Sequence, residues 1–333
     1  MRGRCFTIKK YQSIDDILKD CPQNECIGNN LIRAWNIINN SKYEKILCSI
    51  SGGSDSDVML DIVWKCDIGN KVDYVWFDTG LEYQATKEHL KKLEVKYGIT
   101  FLRIKTQKAI PISCKEYGSP FISKLVSEFI YRLQSHNFKF EDEPYEILIK
   151  KYPKCQSALE WWCNKKQSDA FNIRKNKFLK EFMISNPPQF KIANKCCNYA
   201  KKNVSHKIIM NGKYDLNIVG VRKAEGGIRS NSYKNCFDDN ESTCDNYRPI
   251  FWYKNQDKSD YEQHYDIENS DCYAVYGLNR TGCAGCPFGR NFEFELDVLQ
   301  KYEPKLYKAV CNIFHDSYEY TRQYREFVIQ QKN

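Results

Sequence analysis

The stretch Ser51-Gly52-Gly53-Ser54-Asp55-Ser56 constrains this chain more than any other, because it lies where an apolar run, Ile46–Ile50, gives way to a helix-like run, Asp57–Trp64. A strand that breaks at a glycine pair and restarts as a helix turns backbone N–H groups and the positive end of the helix dipole toward one point, which suits a phosphate chain. The P-loop spacing with its Lys-Ser/Thr ending is absent, and so is G-x-G-x-x-G. The bland alternative is a Ser/Gly turn with Asp55 near a helix start, ordinary capping chemistry. The strand before and the helix after favour an adenine-nucleotide loop.

At 333 residues the chain holds one large domain or a domain with an appended subdomain. Its 42% hydrophobic content, with 18 Phe and 23 Tyr, supplies an ample core. Met1–Lys10 is basic with no following apolar stretch of signal-peptide length, and no run approaches membrane-spanning length, so a cytoplasmic protein without a membrane partner is expected. In a reducing compartment the 16 cysteines point to metal, cluster or redox roles where they group together. Cys48 and Cys66 read as small buried hydrophobes.

The formal charge of +9 is unevenly placed: residues 146–213 carry 15 Lys plus Arg against 4 Asp plus Glu. Interleaved with Tyr152, Trp161, Trp162, Phe171, Phe178 and Phe182, this segment has the composition of a polyanion surface, so a nucleic acid is a candidate partner. A solvated helix face is the competing reading.

The pattern along the chain predicts an α/β fold. Residues 1–40 form a leading helical element. Strands at Ile46–Ile50, Val72–Phe77, Thr100–Ile104 and Leu216–Val221 alternate with helices at 56–66 and 82–97, which implies a parallel twisted sheet with flanking helices and right-handed crossovers. A nucleotide-binding domain over 41–290 then carries a basic helical insertion at 120–213 and a C-terminal cysteine region. Phe292, Leu296, Leu299 and Tyr302 mark a helical tail over 291–333.

Five separated motifs within about residues 45–290 resemble the phosphoadenylyl-sulfate and adenylyl-sulfate reductases and their wider superfamily, the PP-loop ATP pyrophosphatases of the HUP-like adenine nucleotide α-hydrolase fold. S-G-G-x-D-S is similar to the pyrophosphate loop of the latter. Phe77-Asp78-Thr79-Gly80-Leu81-Glu82 is similar to the reductases' D-T-G-x-E segment, at a strand end where open α/β sheets bind ligands. Lys115-Glu116-Tyr117-Gly118-Ser119-Pro120-Phe121-Ile122-Ser123-Lys124 resembles the family loop that closes over the nucleotide. Gly220-Val221-Arg222 through Arg229-Ser230 resembles the G-x-R-x-x-E-S-x-x-R element, where planar guanidiniums suit phosphate or sulfate oxygens.

The fifth motif is Cys196-Cys197 with Cys283-Ala284-Gly285-Cys286. Adjacent cysteines fit one tetrahedral zinc poorly, whereas a cubane offers separate irons to adjacent thiolates; a 4Fe-4S cluster is the better reading, with zinc and four unrelated buried thiols as alternatives. A double cysteine followed by C-x-x-C also marks the cluster of assimilatory adenylyl-sulfate reductases, and Arg280-Thr281-Gly282 adds to the likeness. Two departures stand out. The reductases' C-terminal E-C-G-L-H is absent from Tyr324–Gln331, and their phosphate loop usually differs from S-G-G-x-D-S.

The resemblance implies an enzyme of sulfur metabolism that binds ATP or adenylyl sulfate through Ser51, Gly52, Gly53, Ser54, Asp55, Ser56, Asp78, Thr79 and Gly80. It implies Mg²⁺ near Asp55 if ATP is the ligand, and Arg222, Arg229 and Arg280 on the anion, with Asp55, Arg222 and Arg229 as the catalytic group. Cys236, Cys244, Cys272 and Cys311 are candidates for a reactive thiol, and a thiol reductant or sulfur-donor protein is an expected partner. A DNA or tRNA thiolation factor with ATP pyrophosphatase activity is the principal alternative, and a nucleotide sensor without turnover is a weaker one.

Overall fold

The computed structural model describes residues 8–226, 232–240 and 244–332. They divide into two compact units: Met1–Asp78, Glu82–Lys105 and Asn203–Gly282 in the first, and Thr79–Leu81, Thr106–Lys202 and Cys283–Asn333 in the second.

The first unit is built on a six-stranded sheet. Strands β1 (Ile46–Ile50), β2 (Val72–Asp78), β3 (Leu102–Lys105), β4 (Leu216–Val219), β5 (Phe237–Asp238) and β6 (Asp245–Tyr247) are arranged in the order β3-β2-β1-β4-β6-β5. Every neighbouring pair is parallel except β5 with β6. β1 registers Ile46 against Val72 on one side and Leu216 on the other. The chain leaves β1 first toward β2 and later returns to its other flank, so the carboxyl end of β1 is the switch point where open α/β sheets place ligands. β5 and β6 were not anticipated: a run such as Asp245-Asn246-Tyr247 has poor β propensity, and its pairing with β4 is a tertiary effect.

Helix α1 (Ile14–Asp20) starts in a capping box at Ser13, and α2 (Glu25–Ile38) starts at Asn24, whose side chain accepts from the Ile27 N–H. Ile27, Leu31, Ala34 and Ile38 line one buried face of α2, which packs on α3 (Ser54–Cys66). The leading residues therefore complete the sheet unit rather than form an element of their own. Helix α4 (Gln84–Tyr97) follows β2 and buries Leu90, Leu93 and Tyr97. Cys48 and Cys66 are fully buried in this core.

The second unit is helical. Helices α5 (Ile110–Tyr117) and α6 (Lys124–Gln134) lead into shorter helices, and the long helix Pro304–Gln330 closes the unit. Its core gathers Phe121, Phe129, Trp161, Trp162, Phe182 and Tyr320. The final helix is part of this core because the Tyr320 ring lies 4.8 Å from Phe121 and 4.9 Å from Phe182.

That packing corrects one expectation about the basic segment. Trp161, Trp162 and Phe182 are at most 1% exposed, so they cannot stack on a polyanion; apolar area outweighed any surface role. Several of the segment's cations also have local carboxylates: Lys151 pairs with Glu141 at 2.5 Å, Lys166 with Glu160 at 2.6 Å and Lys180 with Asp142 at 2.5 Å. Among the described residues, no helix is long and apolar enough to cross a membrane.

Asp245 provides a pH-dependent tie at the β6 edge. Burial opposes its charge, yet the Asn240 N–H at 2.8 Å, Lys42 Nζ at 2.8 Å and the Tyr43 hydroxyl at 2.6 Å hold the carboxyl down at about 2. An unfolded Asp titrates near 3.9, so this contribution to stability is present above about pH 4 and lost as pH falls through about 2. Asp245→Asn should lower the urea midpoint at pH 6, and the gap from the unaltered protein should close as pH falls from about 4 toward 2.

Candidate functional site

In the first unit the Ser51 loop is shaped by two glycines. Gly52 adopts φ +67, and a Cβ there would meet Thr86 Cγ2 at 2.9 Å, so both the left-handed backbone and the closeness of α4 demand glycine. Gly53 is the N-cap of α3. A Cβ there would lie 3.1 Å from Thr281 Oγ1, 3.2 Å from the Tyr273 hydroxyl and 3.4 Å from Ser51 Oγ, so the loop's backbone is approached by hydroxyls. The Ser51 N–H donates to Ser56 Oγ at 2.9 Å and the Ser54 N–H to the Tyr273 hydroxyl at 3.2 Å. The first-turn amides of α3 have no intrahelical acceptor and lie at the positive end of its dipole.

Two cations converge on this loop. Arg222 follows β4 and donates from Nε to Asp55 Oδ1 at 2.8 Å, while its Nη1 donates to Asn255 Oδ1 at 3.0 Å. Lys258, on the helix Asn255–His264, donates to Ser54 Oγ at 2.7 Å and lies 3.6 Å from Asp55. The chain at Gly220 runs against the start of α3, where a Cβ would be 3.5 Å from the Asp55 carbonyl oxygen. Ser51 is exposed, whereas Ser56 and Arg222 are buried. Behind the loop, His89 Nε2 and Asp57 Oδ2 lie 2.8 Å apart in the core; burial raises the Asp57 pKa, and His89 works against that rise.

The remaining expected nucleotide residues are distributed between the units. Asp78, buried at the end of β2, accepts from Arg103 Nε at 2.8 Å. Thr79 and Gly80 belong to the second unit, where Thr79 Oγ1 lies 3.6 Å from Cys283 Sγ. Arg280 is exposed. Arg229 lies outside the described residues, as do Gly227, Ile228 and Ser230. Sequence reasoning missed Lys258, Asn255 and Tyr273, which come from a polar stretch with no motif. Only the Arg280-Thr281-Gly282 likeness carried a signal for Thr281.

All four expected cluster cysteines lie in the second unit. Cys196 and Cys197 occupy the helical turn Lys195–Cys197, followed by a π-turn at Asn198–Lys202. Cys283 and Cys286 flank a tight turn in which the Ala284 N–H donates to the Leu81 carbonyl at 2.6 Å and the Tyr318 hydroxyl donates to the Gly285 carbonyl. Among the described residues, no group of three or more His, Cys, Asp or Glu side chains is arranged to hold a single metal ion. The thiols nevertheless feel one another. Hydrogen bonding with Cys114 raises the Cys196 pKa, burial and the Cys286 charge adding to it. Hydrogen bonding with Cys196 raises Cys197, then burial, while Lys124 and Lys201 pull it down. Burial and then the Cys283 and Cys197 charges push Cys286 up to about 12. An all-thiol set whose deprotonation needs a compensating positive charge matches the ligand chemistry of iron–sulfur clusters.

The described cysteines are all free thiols. Of the candidates for a reactive thiol, Cys236, Cys244 and Cys272 are buried in the first unit and Cys311 is half-buried in the second. Burial pushes Cys244 up to about 11, which argues against a nucleophile there. The Tyr117–Phe121 segment, expected as a closing loop, is packed inside the second unit: Phe121 is fully buried and Ser317 donates to the Pro120 carbonyl.

Residues 45–123 match the phosphoadenosine phosphosulfate reductase domain family. Over 108 residues, 31% of the chain, it is 35% identical to an uncharacterized protein of Methanocaldococcus jannaschii, of whose length it spans only 22%. Among solved structures, the phosphoadenylyl-sulfate reductase of Candida auris aligns over 83% of this chain and 97% of its own at 13% identity, with a TM-score of 0.42. The U34-tRNA thiolase of Methanococcus maripaludis, solved with its [4Fe-4S] cluster, aligns over 95% and 87% at 12% identity, with a TM-score of 0.39.

The Asp55–Arg222 pair is testable as a coupled unit. Arg222→Ala leaves the largely buried Asp55 with only Lys258 at 3.6 Å and should destabilise the chain by about 3–5 kcal/mol. Asp55→Ala/Arg222→Ala should recover a large part of that loss, as a double-mutant cycle in urea would register.

Proposed function

We propose that this chain is an adenine-nucleotide enzyme of sulfur metabolism that binds ATP, or alternatively adenylyl sulfate, at the Ser51–Ser56 loop. The carrying observation is the convergence of Arg222 and Lys258 on a glycine-hinged Ser/Asp loop at the switch point of a parallel sheet. Two cations, serine hydroxyls and first-turn amides together offer the donors that phosphate oxygens accept from. Ser51, Gly52, Gly53, Ser54 and Ser56 would cradle the phosphates, with Asp78 further along the nucleotide. Mg²⁺ would accompany ATP near Asp55.

In the reaction proposed, a substrate oxygen attacks the α-phosphorus, the bond to the bridging oxygen of the β-phosphate breaks, and pyrophosphate leaves with the bonding electrons. Arg222 and Lys258 would take up the charge that develops on that leaving group, and Arg229 and Arg280 would assist if they reach it. A thiolate-level sulfur delivered by a sulfur-donor protein or a thiol would then attack the carbon bearing the adenylated oxygen, forming the C–S bond as the C–O bond breaks and AMP leaves. With adenylyl sulfate instead, a thiolate attacks sulfur and the nucleotide departs.

Cys196, Cys197, Cys283 and Cys286 would hold a 4Fe-4S cluster, which when bound supplies electrostatic tuning or a station for sulfur. The nucleic-acid reading loses Trp161, Trp162 and Phe182, which are core residues, and keeps the segment's charge with the exposed Phe171. Cations such as Lys150, Lys154 and Lys177 are exposed or half-exposed, and they keep tRNA or DNA as the second reading.

Incubating anaerobically purified protein with ATP should release pyrophosphate; with adenylyl sulfate and a dithiol reductant, which attacks the protein-bound thiosulfonate and ends as a disulfide, it should release sulfite. Gly53→Val places side-chain atoms where the Thr281 and Tyr273 hydroxyls approach, and calorimetry should show nucleotide binding weakened roughly 100-fold or more with the far-UV spectrum unchanged. Unaltered binding in that variant would sink the loop assignment. The same preparation should be brown, and Cys283→Ser should remove the colour; stoichiometric zinc without iron would refute the cluster.

A further inference from the structure

The helix Asn255–His264 is joined to the nucleotide loop's surroundings at more than one level. Asn255, Lys258 and Tyr261 recur every third residue and so lie along one stripe of that helix. Each meets a different partner. Asn255 Oδ1 accepts from Arg222 at 3.0 Å, Lys258 Nζ donates to Ser54 Oγ at 2.7 Å, and the Tyr261 hydroxyl donates to Asp61 Oδ2 at 2.7 Å. Ser54 and Asp61 both belong to α3, about two turns apart on one face. Lys258 is therefore suspended between an anchor at Asn255 and an anchor at Tyr261.

The Tyr261 anchor is the deeper one. Tyr261 is fully buried and Asp61 is 1% exposed; the same carboxylate accepts from the Tyr97 hydroxyl of α4 at 3.0 Å and pairs with Lys65 at 2.8 Å. A hydrogen bond to an ionised acceptor shielded from water is strong, so it fixes the rotation and rise of the helix that donates it. Lys258, one turn away, inherits that setting. Glu262 lies 3.3 Å from the same ammonium and competes with the loop for it, and a helix shift of about 1 Å would take Lys258 out of hydrogen-bonding reach of Ser54. Resting on the reading of Ser51–Ser56 as a nucleotide loop, we infer that Tyr261 is a positioning residue for Lys258: its bond to Asp61 holds the ammonium on the loop, and so toward the phosphate chain, against the pull of Glu262.

The test titrates the full chain with ATP and Mg²⁺ by calorimetry, with urea unfolding of every variant beside it. Tyr261→Phe keeps the ring in the core and leaves Asp61 with Tyr97 and Lys65, so the fold should persist while ATP affinity falls about three- to thirtyfold. Tyr97→Phe is the matched control, because it takes a hydroxyl from the same carboxylate but from α4. Its urea midpoint should drop comparably, yet its ATP affinity should stay within about twofold of the unaltered protein. Lys258→Ala should weaken ATP binding about tenfold or more, and adding Tyr261→Phe to it should cost no more than about a further twofold. ATP bound equally well by Tyr261→Phe and the unaltered protein would overturn this inference and leave the loop reading standing. Equal losses in the two phenylalanine variants, or additive losses in Tyr261→Phe/Lys258→Ala, would do the same. No ATP binding by the unaltered protein would overturn the loop reading, and this inference with it.

Discussion

Much of the first unit's site depends on one buried ion pair, Asp55 with Arg222. Two largely buried charges carry a desolvation cost that only close geometry and further hydrogen bonds offset, so an isolated pair of this kind adds little to stability. Here Arg222 is further held by Asn255, and Lys258 approaches the same carboxylate from another helix. The pair therefore binds the start of α3 to the segment after β4 and to the helix Asn255–His264. An arriving polyanion finds guanidinium and ammonium groups already oriented, which lowers the ordering cost of binding.

The second unit solves a different problem, the positioning of thiols. Cysteine side chains are short and make weak hydrogen bonds, so backbone must place them. Contacts at Gly118 with Lys191, Ala284 with Leu81, and Tyr318 with Gly285 do this work. The thiols that result raise one another's pKa values, since each thiolate would form beside others in a buried setting. Cations reduce that penalty. Lys124 and Lys201 do so at Cys197, and bound iron would do so more strongly.

The same two forces explain the basic segment's divided character. Trp161, Trp162 and Phe182 go inward because burying such rings removes more apolar area from water than stacking at a surface would, whereas Phe171 stays exposed. Its lysines stay outside or half-exposed, several beside a carboxylate. Exposed pairs of this kind contribute little to stability, so the excess positive charge remains available to solvent or to an anionic partner.

By itself the sequence determined the local patterns: the strands read at Ile46–Ile50, Val72–Phe77 and Leu216–Val221, which the structure has at Ile46–Ile50, Val72–Asp78 and Leu216–Val219, the loop at Ser51–Ser56, and the cysteine spacing were legible because each is a short-range pattern of apolar residues, glycine or thiols. Only tertiary structure decided what meets those patterns. Lys258, Asn255 and Tyr273 come to the loop from segments distant in sequence, and Asp245–Tyr247 becomes a strand through its pairing with β4. A single lysine, tyrosine or cysteine carries no periodic signal, and its role depends on the long-range packing that sets its neighbours.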